Sequence, residues 1–126
     1  MDVRPLADVL IPEWDAFVEQ SPDAWFLHHS AYIAFAMELG EPRQVENHSF
    51  FIVENGEILA VCPLLIEVVG DSKQFSYLGE FLPVAALAPG LTSSKSRKVM
   101  KYYVDVLTRV AAEHDVDYVR IMAPAL

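Results

Sequence analysis

The sequence predicts an α+β domain in which a mixed sheet with a central β-hairpin is layered against flanking helices. The first observation is an Asn55-Gly56 pair between two apolar runs, because a type I′ turn needs positive φ at both central positions. The second is a long stretch near the carboxyl end whose apolar residues recur at the helical period. The third is a strand-like run directly after that stretch. The 126 residues fit one domain, 1–126.

The amino-terminal part predicts one strand and one short helix. Asp2 to Leu6 is an edge strand, which Pro5 ends because proline donates no ladder hydrogen bond. The helix begins at Pro12-Glu13-Trp14, since proline is tolerated in the first turn and an acid there faces the positive end of the helix dipole. It ends at Ser21-Pro22.

A second helix and a polar loop follow. The helix covers Ala31 to Leu39, with Ser30 as its N-cap and Gly40 at the C′ position, where a left-handed conformation is common. Glu41 to His48 is predicted to be a polar loop that leads into the hairpin.

The central hairpin is predicted over Phe50 to Val68. Pairing outward from the turn gives three predicted pairs, Glu54 with Glu57, Val53 with Ile58 and Phe51 with Ala60. Both faces are apolar beyond the turn, so we expect the hairpin in the middle of a sheet with other elements packed on each side.

A third strand and an irregular segment come next. Gly70-Asp71 predicts a turn, and Lys73 to Leu78 predicts a strand. Phe81 to Gly90 is apolar but contains two prolines and ends in a glycine. This composition predicts a buried loop or a short strand.

The longest helix begins at Ser93 or Ser94 and runs to about His114. Its apolar stripe consists of Val99, Tyr103, Val106, Leu107 and Val110. A last strand over Asp117 to Ala123 follows after a short link, so we expect it to enter the sheet parallel to a neighbour. The predicted order is β-α-α-β-β-β-α-β.

Composition excludes several classes of protein. A chain with 53% hydrophobic residues is not intrinsically disordered. No apolar run reaches about 18 residues, so no membrane span is expected. A net charge of −9 repels phosphate backbones and argues against nucleic-acid binding. The start lacks the pattern of a secretion signal and Cys62 is the single cysteine, so a cytoplasmic location is expected.

The charge is unevenly distributed along the chain. Residues 1–71 contain 13 acidic and two basic side chains, whereas residues 72–126 contain five acidic and seven basic ones. Any anionic ligand is therefore expected in the second part. Four basic residues lie at the start of the long helix: Lys95, Arg97, Lys98 and Lys101. They either bind a phosphate or form a solvated helix face with i, i+4 ion pairs, and the solvated face is favoured.

Few side chains predict chemistry on their own. The pair His28-His29 has two interpretations. It either supplies an imidazole as a general base, or it belongs to a loop-to-helix junction in which His29 and Ser30 cap backbone amides, and the junction is favoured. Cys62 lies in a central strand and is predicted to be a buried, inert thiol. No metal site is predicted, because no carboxylate or thiol lies at ligand spacing from the histidine pair and His48 belongs to another segment.

Three segments carry a family resemblance. They are EWDAFVEQSPDAWFLHHSAY, FFIVENGEILAVCPLLIE, and the long helix followed by DVDYVRI. Together they resemble the Fem-type (FemAB/FemX-like) branch of the GNAT superfamily of acyltransferases. Members of this branch are longer and contain two GNAT-like halves that face a cleft. The match is to the first half, which implies a GNAT-like lobe of a longer two-lobed protein.

The resemblance implies an acyl- or aminoacyl-transferase that acts on an amine of a cell-envelope sugar or peptide. In such proteins the first lobe shapes the acceptor cleft and the second supplies most catalytic groups. The substrate-binding residues expected here are Trp25, His28, Tyr32, Tyr77 and Phe81. Phe35 and Ala36 take the place of a lysine that peptidoglycan-branching members use on a substrate phosphate, which argues against a nucleotide-linked precursor.

A GNAT catalytic domain binds the CoA pyrophosphate with backbone amides of a Q/R-x-x-G-x-G/A loop at a helix start. No arginine or glutamine of this chain is followed by that pattern. We therefore expect no cofactor and no catalytic residue in this segment.

Two interpretations from different classes remain open. In the first, the chain is the acceptor-shaping lobe of a transferase, and the native chain continues past Leu126. In the second, it is a non-catalytic GNAT-like interaction module that dimerises or pairs with another chain. Without a second lobe we expect self-association through the Tyr77 to Gly90 side and the long helix.

Overall fold

The structure is a computed structural model and describes residues 1–40 and 44–122. Within these ranges the helices are α1 (Ile11–Gln20), α2 (Ser30–Gly40) and α3 (Ser93–Glu113), and short 3₁₀ turns cover Asp8–Leu10 and Phe26–His28. The strands are β1 (Asp2–Pro5), β2 (Val45–Asn47), β3 (Phe50–Glu54), β4 (Glu57–Cys62), β5 (Leu65–Val69), β6 (Ser72–Phe75), β7 (Leu82–Pro83), β8 (Ala86–Leu87), β9 (Tyr118–Val119) and β10 (Ile121–Met122). The predicted α+β class is confirmed.

The strands form two larger sheets and one connecting pair. The first sheet has the order β1-β3-β4-β8 and is antiparallel throughout. The second has the order β2-β5-β6-β9, and β9 is parallel to β6. The pair joins β10 to β7, also in parallel, which confirms the predicted direction of the last strand.

Arg120 connects the last two strands to both of their neighbours. Its N–H donates to the backbone oxygen of Phe75 at 3.0 Å, and its own carbonyl accepts from the N–H of Leu82 at 2.7 Å. The segment from Tyr118 to Met122 therefore lies between β6 and β7 and links them through backbone hydrogen bonds.

The hairpin of β3 and β4 lies in the middle of the first sheet, as predicted. The ring of Phe51 packs edge-on against Trp14 of α1, with centroids 5.2 Å apart. The ring of Phe50 lies 6.4 Å from that of Tyr103 in α3. Because successive side chains of a strand point to opposite faces, α1 and α3 cover the two faces of the hairpin.

The turn of the hairpin has the predicted geometry, but its register shifts further along. Asn55 and Gly56 have φ values of 52° and 79°. Glu54 pairs with Glu57 and Val53 with Ile58, as predicted. Beyond them Ile52 pairs with Ala60 and Phe51 with Val61, so the predicted pair of Phe51 with Ala60 is wrong. A β-bulge at Leu59 places one extra residue on β4.

The second strand of the hairpin ends at Cys62 and does not continue to Val68. Pro63 follows, and proline lacks the N–H that a central strand needs. The chain resumes as β5, which belongs to the second sheet. One predicted strand is therefore two strands in different sheets.

Two other predicted boundaries are wrong. Val45–Asn47, placed in a polar loop, forms the strand β2 beside β5, where an edge position suits its polar side chains. The start of that predicted loop lies outside the described residues. The third strand ends at Phe75, not Leu78, because Leu78 and Gly79 have φ values of 50° and 78° and form a tight turn.

The predicted last strand over Asp117 to Ala123 is two short strands, β9 and β10, which belong to different sheets, and Ala123 lies outside the described residues. The other elements agree with the sequence. The segment from Phe81 to Gly90 contains the two short strands β7 and β8. α3 begins at Ser93 with Thr92 as its N-cap, and it buries Val99, Tyr103, Val106 and Leu107 of the predicted stripe. In residues 1–40 and 44–122 no helix combines the length and the apolar character that crossing a membrane requires.

Candidate functional site

The loop between α1 and α2 is fixed at both ends by side-chain hydrogen bonds. Ser21 Oγ donates to the backbone oxygen of Leu87 at 2.6 Å, and the Asp23 carboxylate accepts from the N–H of Leu87 at 3.3 Å. At the other end, the Asp15 carboxylate accepts from the N–H and the hydroxyl of Ser30, at 2.9 and 2.5 Å. Side chains on this loop therefore have fixed positions.

His28 holds the middle of the loop. Its Nε2 donates to the backbone oxygen of Val84 at 2.7 Å, and its Nδ1 accepts from the N–H of Trp25 at 3.1 Å. These bonds assign a neutral ring with its proton on Nε2. Burial lowers the pKa of His28, which agrees with that assignment. Trp14 Nε1 donates to the backbone oxygen of His28 at 2.7 Å and fixes the same residue from α1.

Four aromatic side chains of the loop and α2 form a continuous surface. We call these four side chains, Trp25, Phe26, Tyr32 and Phe35, the aromatic surface. The ring centroids are 5.5 Å apart for Trp25 and Phe26, 5.7 Å for Phe26 and Tyr32, and 5.9 Å for Tyr32 and Phe35. Trp25, Phe26 and Phe35 are 40%, 61% and 49% exposed. Contiguous exposed apolar side chains of this kind mark binding surfaces.

Tyr77 supports the aromatic surface from the core. Its ring centroid lies 5.2 Å from that of Tyr32, and its side chain is buried. The hydroxyl donates to the backbone oxygen of Leu27 at 3.2 Å. Burial raises the pKa of the Tyr77 phenol well above its ordinary value, so the hydroxyl keeps its proton and remains a donor.

The turn that follows Tyr77 is organised by a buried carboxylate, Glu67 of β5. This carboxylate accepts from the N–H groups of Leu78 and Gly79 at 3.0 and 2.8 Å, and from the hydroxyl of Ser76. Leu78 has a left-handed φ of 50°, which a leucine disfavours. Glu67 therefore stabilises a strained turn and, through it, the position of Tyr77.

The structure brings together three of the predicted substrate-binding residues, Trp25, Tyr32 and Tyr77. Phe81 is 43% exposed, but within the described chain its ring stacks on no member of the aromatic surface. The side chain of His28 is buried and both of its ring nitrogens are bonded to the backbone. This geometry fits a junction, but the side chain that caps a backbone amide is His28, whereas Ser30 donates its hydroxyl to Asp15.

Phe35 and Glu67 were not predicted as parts of a site. The sequence does contain a signal for Glu67. It is a lone acidic residue in an apolar strand, and a buried carboxylate needs hydrogen-bond donors around it. Phe35 lies one helical turn after Tyr32, the spacing that places two side chains on one helix face.

Two other candidates have structural roles. Lys95 forms an ion pair with Glu54, and this hydrogen bond lowers the pKa of the Glu54 carboxyl. Lys95 is therefore not free for a phosphate. Cys62 is buried, as predicted, and burial raises the pKa of its thiol.

Potential metal ligands meet at a second place in the described residues. Glu46 of β2, His48 after it and His114 at the end of α3 each offer a ligand atom, and these atoms lie within 4.8 Å of one another. The sequence predicts no metal site because the pair His28-His29 has no ligand at suitable spacing and His48 is separated from that pair along the chain. The fold instead brings His48 close to Glu46 and His114.

Comparison with known proteins finds a likeness in structure and none in sequence. No protein-family model matches the sequence, and no curated protein matches it. Among solved structures, the crystal structure of FemX superimposes with a TM-score of 0.65 and 15% sequence identity over 92% of this chain. The chain spans 25% of the FemX chain. At this identity the likeness shows a shared Fem-type fold.

Proposed function

We propose that this chain is the amino-terminal lobe of a Fem-type acyl- or aminoacyl-transferase and that the aromatic surface forms one wall of its acceptor cleft. The acceptor is an amine of a cell-envelope sugar or peptide, and the reaction takes place in the cytoplasm. The observation that carries the proposal is an exposed aromatic surface on a loop that side chains hold rigidly. The shared fold with FemX supports the transferase class.

The aromatic surface suits an acceptor of this chemistry. Flat aromatic rings bury the apolar faces of a small ligand, and a ring face attracts an ammonium group by a cation–π interaction. Residues 1–71 contain 13 acidic and two basic side chains, so the surrounding field favours a cationic amine over an anion. The support beneath the surface, Tyr77 and His28, limits the loss of side-chain freedom on binding.

The chemical step is assigned to a second lobe. An ammonium acceptor has to lose a proton before it attacks an acyl donor, and the aromatic surface contains no histidine, carboxylate or lysine side chain to accept it. A second lobe supplies that base, the donor site and most catalytic groups in this proposal. The 25% share of the FemX chain that this chain covers leaves room for such a lobe.

A different surface favours the alternative, a non-catalytic module that pairs with itself or with another chain. A groove of about 490 Å³ lies beside α3, and its lining includes Met100, Val104, Leu107, Val119 and Ile121. Val104 and Val119 are exposed there. An apolar groove of this kind fits either a second copy or a second lobe, and a monomeric isolated chain would exclude the second copy.

Tryptophan fluorescence tests the acceptor site directly. Trp14 is buried and Trp25 is exposed, so quenching by a bound ligand reports on Trp25. We expect glucosamine to quench with a dissociation constant of about 1 mM, and N-acetylglucosamine, which lacks the free amine, to bind more weakly.

Phe35→Ala should weaken glucosamine binding, because it removes one ring of the aromatic surface. Val9→Ala is the matched control, since Val9 is also apolar and 82% exposed but lies on the Asp8–Leu10 turn. Equal binding of the two sugars, or equal loss in both variants, contradicts the proposal.

A further inference from the structure

We propose that Glu46, His48 and His114 form a binding site for a divalent first-row metal ion such as Zn²⁺. The three side chains offer two imidazole nitrogens and one carboxylate oxygen, all within 4.8 Å of one another. Imidazole and carboxylate are ligands that Zn²⁺ accepts in proteins, and three protein ligands leave a position for water. This site is separate from the aromatic surface and does not depend on the proposed function.

The geometry is close to that of a bound ion. Glu46 Oε1 lies 3.2 Å from His48 Nε2. Around a tetrahedral zinc ion with bonds of about 2.1 Å, neighbouring ligand atoms are about 3.4 Å apart. The rings of His48 and His114 are in contact, with centroids 4.6 Å apart and planes at 60°. The three ligand atoms lie at most 4.8 Å apart, so the widest separations have to shorten when the atoms share one ion.

The backbone holds the three ligands independently of a metal. Glu46 belongs to β2, which is paired with β5. The N–H of His48 donates to the backbone oxygen of Leu64 at 2.7 Å. His114 is the C-cap of α3, and its N–H donates to the backbone oxygen of Val110 at 3.1 Å. A metal ion bound here connects β2 to the end of α3 and adds to the stability of both.

The negative charges around the three ligands favour a bound cation, and one nearby lysine opposes it. The carboxyl end of a helix carries a partial negative charge, and the whole chain has a net charge of −9. Against this, Lys73 Nζ donates to the backbone oxygen of His114 at 3.2 Å. The Glu46 side chain is largely exposed, so the site is open to water. We expect an affinity in the micromolar range.

The test uses metal-free protein without an affinity tag. Titration with Zn²⁺ in a calorimeter should give one ion per chain, and Co²⁺ should give visible absorption bands typical of nitrogen-ligated, low-coordinate cobalt. His48→Gln and His114→Gln should each weaken Zn²⁺ binding about tenfold or more. Glu46→Gln should weaken it as well without a folding defect, because the Glu46 side chain is exposed. Circular dichroism checks the fold of all variants.

His29→Gln is the matched control. His29 also lies near two carboxylates, with Nδ1 3.8 Å from Asp15 Oδ1 and Nε2 3.4 Å from Glu19 Oε1. The two carboxylates lie at opposite nitrogens of the His29 ring. An ion bound to one of these nitrogens is therefore too far from the carboxylate at the other nitrogen to bind it as well. The control should bind Zn²⁺ like the parent. Absence of binding at about 100 μM Zn²⁺, or an equal loss in His29→Gln and His48→Gln, overturns the proposal.

Discussion

His28 Nε2 lies 2.7 Å from the backbone oxygen of Val84, and this hydrogen bond joins residues 56 positions apart in the chain. The other ring nitrogen accepts from the N–H of Trp25. One neutral imidazole therefore connects the loop that carries the aromatic surface to the segment between β7 and β8. The position of that surface depends on the protonation state of a single buried ring.

Stability should fall in mild acid because of His28. Burial lowers its pKa in the folded state below the ordinary value of 6.5, so the unfolded chain binds more protons between that lowered pKa and 6.5. The free energy of unfolding is fully retained above pH 6.5 and decreases as the pH falls through this window. Urea unfolding as a function of pH measures it. His28→Gln should flatten the dependence and His29→Gln should keep it; a parent protein with no loss below pH 6.5 contradicts the assignment.

Glu67→Gln should destabilise the protein by about 1–3 kcal/mol, because an amide nitrogen would then face N–H donors in a buried site. The control is Glu80→Gln, on the same turn but exposed, which should change stability by less than about 0.5 kcal/mol. Both values come from urea unfolding. Similar costs for the two variants would show that the Glu67 carboxylate does not hold the turn.

Gly56→Val should cost about 1–2 kcal/mol, since φ is 79° at this position and a β-branched residue is strained there. Nothing lies within 4 Å of an added Cβ, so the cost is conformational and not a clash. Gly56→Asn should cost less because asparagine tolerates the left-handed region. Thermal unfolding measures the pair, and a valine variant as stable as the parent contradicts the type I′ turn.

Acetyl-CoA should not bind this segment with micromolar affinity. The sequence has no glycine-rich pyrophosphate loop, and Thr92 Oγ1 already accepts from the N–H of Lys95 at the start of α3. Lys95 is also paired with Glu54. Isothermal titration calorimetry is the measurement, and a dissociation constant of a few micromolar would contradict the expectation.

The isolated chain should form a dimer through the Tyr77 to Gly90 side and α3. Exposed apolar residues on α3 and the neighbouring strands, such as Val104 and Val119, favour this contact over one between the acidic residues 1–71. Sedimentation velocity at about 100 μM protein measures the state. Val104→Glu should restore the monomer, whereas Val9→Glu should not. A monomeric parent excludes self-association and favours a separate lobe as the partner of the groove.

The elements that were predictable have local signals. The Asn55-Gly56 turn depends on backbone preferences of two residues, and the stripe of α3 depends on a period within one helix. The bulge at Leu59 had no such signal, because packing on both sides of the hairpin decides the register. Pro63 is a local signal for the end of β4, but the apolar residues on both sides of it favour one continuous strand.

The candidate sites were less predictable because they are assembled from distant segments. The aromatic residues Trp25 and Tyr32 are close in sequence and were predicted, but Tyr77 meets them only in the fold. The burial of His28 depends on a bond to Val84 that no local pattern indicates. The contact of His48 with His114 likewise arises from tertiary structure.

The placement of the segment from Tyr118 to Met122 between β6 and β7 has a consequence for biosynthesis. A chain that leaves the ribosome amino end first can pair β1 with β3 and β4 early. In contrast, β6 and β7 cannot pair with the segment from Tyr118 to Met122 until that segment has been synthesised. During that interval their edges are open to other nascent chains, so these two edges are the sites where aggregation can begin during synthesis.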